Sequence, residues 1–401
     1  METWSTHELY QEAASSQGDQ VAAQLQAYAR QLIGRNVAVV FTLGHLARIT
    51  GVNYRVLHDS VNRKREAANY RMYAVAKRSG GRRFIHSVCA DLFRVQQFIN
   101  QEILQKCQPH PASFAFHPTG GIRKCAAMHC GAKWIFQFDL TDFFYDVTEI
   151  DVYRIFHGLG YRPLLAMEFA RLCTTTHLPQ GMGRLLFHRG KSDMEILEEA
   201  SDSETERKFM PHPDMSRMMG VLPQGAPTSP MLSGLAARKL DDSLATYAAD
   251  NGFIYTRYAD DITISTSNLA SARLVGKIQR NVVRRIRQSG FKENVKKTRV
   301  AGPGSKKVVL GLLVDGGAPR LSRETYHRID RLLHASVKYD LAPTAAHEGF
   351  ESAYGFYNHI AGLIAFVKDV DQERWKDFFE RFKTINPPWG SDNGPKRNDI
   401  L

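Results

Sequence analysis

The sequence contains no apolar run approaching the roughly 18 residues that a helix needs to cross a membrane. A membrane partner is therefore not expected. Its start, Met1-Glu2-Thr3-Trp4-Ser5, lacks the basic stretch followed by an apolar one that marks a secretory leader. Cysteine is sparse. Cys89, Cys107, Cys125, Cys130 and Cys173 are odd in number, and no two stand in a CxxC spacing. Such a set suits reduced thiols in a cytoplasm, not a disulfide framework or a zinc site. Acid is in deficit: 41 Asp and Glu stand against 53 Lys and Arg, a formal net charge of +12. That surplus suits a polyanionic partner, although basic chains without a specific partner are common.

The 401 residues are enough for two or three domains or subdomains. Residues 1–65 read as helical. Within them, Leu43 to Val52 and Tyr54 to Leu57 carry apolar residues at helical spacing around a break at Gly51. This pair reads either as a DNA-reading helix-turn-helix or as a packing unit. From Tyr70 to Ile85 alternation predicts a hairpin around Gly80-Gly81. Residues 88–106 read as an amphipathic helix, with Val88, Leu92, Val95, Phe98, Ile99, Ile103 and Leu104 on one side. A buried strand opens the stretch 134–147. Helices are predicted over 150–173, 229–250, 268–289, 322–339 and 345–367. Short strands are predicted over 253–266, before Val300, and over Val308 to Asp315. The polar stretch 174–220, acidic from Asp193 to Glu206, reads as an inserted surface segment, and the tail from Asn386 as loose. Irregular alternation with hairpin-paired strands predicts an α+β fold rather than a doubly wound sheet.

The strongest chemical signal is Tyr255-Thr256-Arg257-Tyr258-Ala259-Asp260-Asp261-Ile262-Thr263-Ile264-Ser265. Two adjacent carboxylates at a hairpin tip, between residues suited to burial, repel each other. A divalent cation held between them and a third carboxylate removes that cost. A solvated turn is the plainer alternative. Asp139 ends the apolar strand Trp134 to Phe138 and is the candidate third ligand. Oxygen donors of this kind suit Mg2+, and two such ions roughly 3.5–4 Å apart serve nucleotidyl transfer. Asp142 reads as a cap or surface carboxylate. The third element is Leu222-Pro223-Gln224-Gly225-Ala226-Pro227-Thr228-Ser229-Pro230. Its glycine lets backbone approach a ligand, its Ser-Pro starts a helix, and Gln224 can bond an incoming nucleotide or its template partner. Leu178-Pro179-Gln180-Gly181 repeats the beginning of this loop but lacks the helix start.

These three elements, in this order, resemble the polymerase domain of the reverse transcriptase family across roughly residues 70–370. The resemblance implies a right-hand polymerase. It would have an N-terminal helical extension at 1–65, fingers at 66–133, and a palm at 134–305, its antiparallel sheet covered by helices and interrupted at 174–220. A helical thumb and tail would follow at 306–401. It implies Asp139, Asp260 and Asp261 as catalytic metal ligands for two Mg2+ ions. Phe144 would be the ring that excludes a ribose 2′-OH. Lys77 and Arg83 would hold the triphosphate of a dNTP, and Lys297 would be a polyphosphate contact and proton donor. Val309-Leu310-Gly311-Leu312-Leu313 would grip the primer.

Within the family the stretch Gly121 to Val147 resembles retron reverse transcriptases, which carry Asn-Ala-x-x-His before the first catalytic strand. Here Cys125-Ala126-Ala127-Met128-His129 keeps the alanine and histidine and replaces the asparagine. Val309-Leu310-Gly311 keeps the ends of the retron Val-Thr-Gly and loses its threonine. His129 reads as a core or RNA-contacting residue rather than a catalyst. No endonuclease or integrase region is apparent after the thumb. The helix from Arg320 presents Arg323, His327, Arg328, Arg331, His334 and Lys338. Several fall three or four apart, on a face suited either to an RNA stem or to solvent. The retron resemblance implies a structured noncoding RNA as template and primer and an RNA-linked single-stranded DNA (msDNA) as product. It also implies a separate effector protein and a role in defence against phage. Another defence-associated or diversity-generating reverse transcriptase, and a non-catalytic RNA-binding scaffold, are the competing readings.

Overall fold

The computed structural model describes residues 5–76, 80–180, 182, 219–268 and 273–389. It opens with two helices, Thr6–Gln17 and Asp19–Gly34, that pack on each other. Ser5 and Glu8 form a reciprocal cap at the first helix start. Helices Leu43–Thr50 and Tyr54–Val61 follow, and Gly51 makes the left-handed break between them. Leu43, Leu46, Val52, Leu57 and Val61 are buried in the main core, and the second helix lies against the helix Pro163–Cys173. The pair is thus a packing unit.

Strands β1 (Tyr70–Ala76) and β2 (Arg82–Val88) form an antiparallel hairpin, extended three residues beyond the predicted Ile85. Lys77 lies outside the described residues. The helix Ala90–Glu102 returns across the core. The central sheet has the order β4-β5-β3-β6, antiparallel throughout. Its strands are β3 (Trp134–Asp139), β4 (Ile254–Tyr258), β5 (Asp261–Thr266) and β6 (Arg299–Ala301). The predicted helix over 150–173 is two helices, Glu149–Gly158 and Pro163–Cys173, parted at Gly160. That over 229–250 is likewise two, Ser229–Ala236 and Arg238–Asp250.

Strand periodicity assigns the two faces of this sheet. Phe136, Phe138, Ile262 and Ile264 are buried in one cluster with Leu240, Leu244, Ile278 and Val282 of the helices Arg238–Asp250 and Leu274–Gln288. Ile135 belongs to a second cluster, with Val309, Leu312, Ile329, Phe356 and Ile360. Asp139 shares the face of Ile135 and Gln137, so it lies opposite the helix-covered face. Asp261 does the same with Thr263 and Ser265.

The short strands β7 (Val308–Val309) and β8 (Leu312–Leu313) turn through Leu310 and Gly311, both at positive φ (49° and 83°), as a tight two-residue hairpin requires. The helices Arg323–Lys338, Leu341–His347, Ala353–Val370 and Gln372–Lys383 follow. The last of these has no counterpart in the sequence reading. Of the tail from Asn386, Trp389 packs its ring on Tyr354 and Tyr357, and residues 390–401 lie outside the described residues. Among the described residues no helix is long and apolar enough to cross a membrane.

Candidate active site

The site is built by register. In the β3–β5 pairing Asp139 stands opposite Asp261. Leu140 N donates to Asp260 O at 3.0 Å, so the hairpin tip is tied to the end of β3. Asp260 lies in the turn between β4 and β5, where Ala259 adopts φ 56°. The three predicted carboxyl-bearing residues therefore meet at one end of one sheet, though 120 residues separate Asp139 from the others. Asp139 is nearly buried, with 7% of its surface exposed.

The segment after Phe291 closes the site from the other side. Asn294 N donates to Asp139 O at 2.7 Å, Asn294 Nδ2 to Asp139 Oδ2 at 3.1 Å, and Lys297 Nζ to Asp139 Oδ1 at 2.7 Å. Burial first, then the Asp139 charge, pushes the Asp260 carboxyl up, against the pull of Lys297 and Arg83. Enclosure by protein, then the charges of Asp260 and Asp139, raises Asp261 to about 6, although its side chain still reaches solvent. The hydrogen bond to Asp139 raises the Lys297 ammonium. Among the described residues no three His, Cys, Asp or Glu side chains by themselves stand at the spacing of a metal cage. The Asp139 carboxylate is instead held by Lys297 and Asn294. The donor chemistry, oxygen-only with mutual repulsion that positive charge would relieve, nevertheless fits a hard divalent cation.

Phe144 lies in the turn directly after β3, in ring contact with Phe116 and Phe143. Asp142, in the same turn, is exposed at φ 51° and caps no helix. The capping residue is Thr148, paired reciprocally with Asp151. Arg83 is exposed on β2, opposite Val75. Gln224 is half-buried, and its carbonyl accepts from His86 N at 2.8 Å, so the glutamine loop docks on β2. Ser229 Oγ donates to Pro223 O at 2.7 Å and closes that loop onto its helix. Gly225 has φ 112°, and a Cβ there would stand 2.8 Å from His86 O. Gln180 is exposed, and its repeat runs into residues outside the described ones.

Sequence reasoning passed over the Arg257–Asp241 support of the hairpin, while His129 was read as a core or RNA-contacting residue. Arg257, fully buried, bonds Asp241 from Nε and Nη2, and Tyr255 Oη donates to Asp241 as well at 2.6 Å. Arg257 Nη1 also donates to Ala259 O at 3.0 Å, which fixes the left-handed residue before Asp260. His129 is buried, with its ring nitrogens 2.7 Å from Ser265 Oγ and 2.7 Å from Thr256 Oγ1. It thus spans β4 and β5 from the face that carries Asp139. Burial lowers its pKa to about 4. The sequence signal for Arg257 was available: a charged residue in an apolar strand needs a partner.

Arg63, at φ 58°, makes a second buried knot. It pairs with Glu149 and Glu66 and donates to Thr174 O at 2.6 Å. Glu149 in turn accepts from Gly220 N at 2.9 Å. Thr175 and Val221 exchange backbone hydrogen bonds of 2.9 and 3.0 Å, so the two ends of the inserted segment meet. Its acidic stretch, Asp193 to Glu206, lies outside the described residues.

The helix Arg323–Lys338 exposes Arg323, Arg328, Arg331 and Lys338. Arg323, Arg331 and Lys338 follow one stripe. Arg328 leans to the neighbouring helix, donating to His359 Nε2 at 3.1 Å, and Arg331 pairs with Glu348 at 3.3 Å.

The family described as reverse transcriptase (RNA-dependent DNA polymerase) matches residues 210–314, which contain Gln224, Asp260, Asp261 and Lys297 but not Gln180. The chain is 31% identical over 356 residues to the retron Mx65 reverse transcriptase of Myxococcus xanthus, covering 88% of this chain and 74% of that one. It is 27% identical over 325 residues to the retron Ec86 reverse transcriptase of Escherichia coli, covering 80% and 83%. Among solved structures it is similar to a foamy viral protease-reverse transcriptase in complex with double-stranded DNA (TM-score 0.37, 14% identity, 83% of this chain and 42% of that one). It is also similar to the telomerase of Candida albicans in complex with a fragment of telomeric RNA (TM-score 0.37, 12% identity, 79% and 56%). The chain spans about half the length of these two solved chains. The protein is an RNA-directed DNA polymerase, and its helices and antiparallel sheet are the α+β architecture expected from its sequence. Within that class, it belongs to the retron reverse transcriptases.

Proposed function

We propose that this enzyme copies part of one structured noncoding RNA into RNA-linked single-stranded DNA, in the cytoplasm, as the synthetic arm of a phage-defence system with a separate effector protein. The observation that carries the polymerase chemistry is the register that sets Asp139 opposite Asp261, with Asp260 bonded beside them. In this reading residues 66–133 are the fingers, 134–305 the palm with its insertion, and 306–401 the thumb and tail, behind the helical extension 1–65.

Asp139, Asp260 and Asp261 would hold two Mg2+ ions, which when bound favour attack by a primer hydroxyl and stabilise the departing pyrophosphate. The rest is the work of the chain. Lys297, with 52% of its side chain exposed, swings from Asp139 to the incoming polyphosphate, frees that carboxylate, and gives a proton to the leaving group. Arg83 pairs with the triphosphate, a fit for its planar fork of donors, and Lys77 joins it. Gln224 positions the nascent base pair from a loop pinned to β2. Phe144 stands where a ribose 2′-OH would clash. The β7–β8 turn bears on the primer, and Arg323, Arg328, Arg331 and Lys338 bear on an RNA stem.

The test is to purify the protein from its native locus and digest the nucleic acid that comes with it, first with RNase and then with DNase. A small DNA joined to RNA, together with dNTP incorporation that Asp260→Asn and Asp261→Asn abolish, is the expected result. RNA alone, with no incorporation in Mg2+, would establish a scaffold instead.

A further inference from the structure

The helix Leu274–Gln288, LVGKIQRNVVRRIRQ, contains five cationic residues and no Asp or Glu. Lys277, Arg280, Arg284 and Arg287 recur at spacings of three, four and three, so they form one exposed stripe about 15 Å long. Ile278, Val282 and Ile286 lie on the opposite side of the helix and are buried. Neighbouring like charges at these spacings destabilise a helix. Arg287 is relieved by Glu293, and Arg285 is drawn aside over the Tyr247 ring. Arg284 reaches Asn281, a neutral partner that balances no charge.

The position of the stripe matters more than its charge. This helix packs on the sheet face of Phe136, Phe138, Ile262 and Ile264, whereas Asp139 and Asp261 lie on the other face. The stripe points away from the sheet on the helix side. Arg287 is the end nearest the aspartates, since it bonds Glu293, which bridges to Leu140 beside Asp139; Arg284, Arg280 and Lys277 lead away from it along the helix.

We propose that Leu274–Gln288 is a second nucleic-acid surface, on the back of the palm, that takes the phosphate backbone of an RNA stem lying outside the polymerase cleft. The inference rests on the reading that the enzyme works on a folded RNA larger than the duplex being copied. One part of that RNA enters the cleft while a stem passes behind the sheet. A row of cations on a convex helix contacts phosphates without reading bases, so the surface positions the RNA and leaves its selection to other contacts.

The probe is a labelled double-stranded RNA hairpin, and the variant is Lys277→Gln/Arg280→Gln/Arg284→Gln. All three side chains are exposed and none belongs to the catalytic site. The expected result is roughly tenfold weaker hairpin binding and a dependence of log affinity on log salt shallower by about two. Incorporation of dNTPs on a primer–template short enough to occupy only the cleft stays at the parent level. Arg280→Glu alone should move binding in the same direction, which guards against misfolding of the triple variant. Unchanged affinity and salt slope overturn the proposal. So does retained RNA binding with lost attachment to anionic lipid vesicles, which would make the stripe a membrane contact. If the parent protein itself fails to incorporate dNTPs, the polymerase reading fails, and hairpin binding still judges this one.

Discussion

Arg257 and Asp241 form a fully buried ion pair, with Arg257 Nε and Nη2 at 2.7 and 2.6 Å from the two carboxylate oxygens. The pair joins the helix Arg238–Asp250 to the strand that leads into Asp260. Asp241→Asn would leave a guanidinium buried without its counter-charge. The expected cost is about 3–5 kcal/mol of unfolding free energy, read from denaturant curves. A loss below about 1 kcal/mol, the scale of an exposed pair, would show that the hairpin stands without it.

Gly225→Ala tests the glutamine loop. At φ 112°, with His86 O 2.8 Å from the added Cβ, alanine forces the loop off β2. We expect the KM for dNTPs to rise more than kcat falls, with a stability loss of about 1–3 kcal/mol. Parent kinetics in the variant would mean that Gln224 is not held through this contact.

Lys297→Met removes the ammonium that bonds Asp139. Single-turnover incorporation should slow about 100-fold, the lower range for loss of a proton donor, while RNA binding stays at the parent level. Lys297→Arg should recover part of the rate. Equal rates in parent and Met variant would assign the lysine to the surface.

His129 gives a pH dependence with a defined sign. Burial holds its folded pKa at about 4, against 6.5 for the free side chain. The unfolded chain therefore binds the extra proton first as pH falls. The stability it contributes is complete above pH 6.5 and is lost on the way down towards pH 4, at about 1.4 kcal/mol per unit. Comparing unfolding free energies of the parent and His129→Gln across that window isolates the effect. A parent slope no steeper than that of the variant would contradict it.

The catalytic strand, the Tyr-Ala-Asp-Asp hairpin and the glutamine loop were legible in the sequence because each is a local pattern: an apolar run ending in acid, alternation around a tip, a Gly-x-Pro turn before a helix. What joins them was not legible. That His129 would bridge Thr256 and Ser265, or that Arg63 would gather Glu149 and Thr174, depends on contacts across 86 to 136 residues that no periodicity encodes. The break at Gly160 and the helix Gln372–Lys383 escaped for a different reason. Period alone does not locate a bend between two good helices, and the last helix is mostly polar, with Phe378 and Phe382 as its buried residues. The helix-turn-helix pattern near Gly51 was read correctly as a shape. Burial of both helices then made it part of the core.

The reciprocal bonds between Thr175 and Val221 have a consequence for how this enzyme tolerates change. They cinch the chain where it leaves the core and where it returns, and the Arg63–Glu149 knot holds both strands of that neck. A length change beyond the neck therefore has no lever on Leu222, Pro223 and Gln224 just downstream. One stretch of chain is therefore expected to be exchangeable for another beyond this neck while the glutamine loop keeps its place on β2.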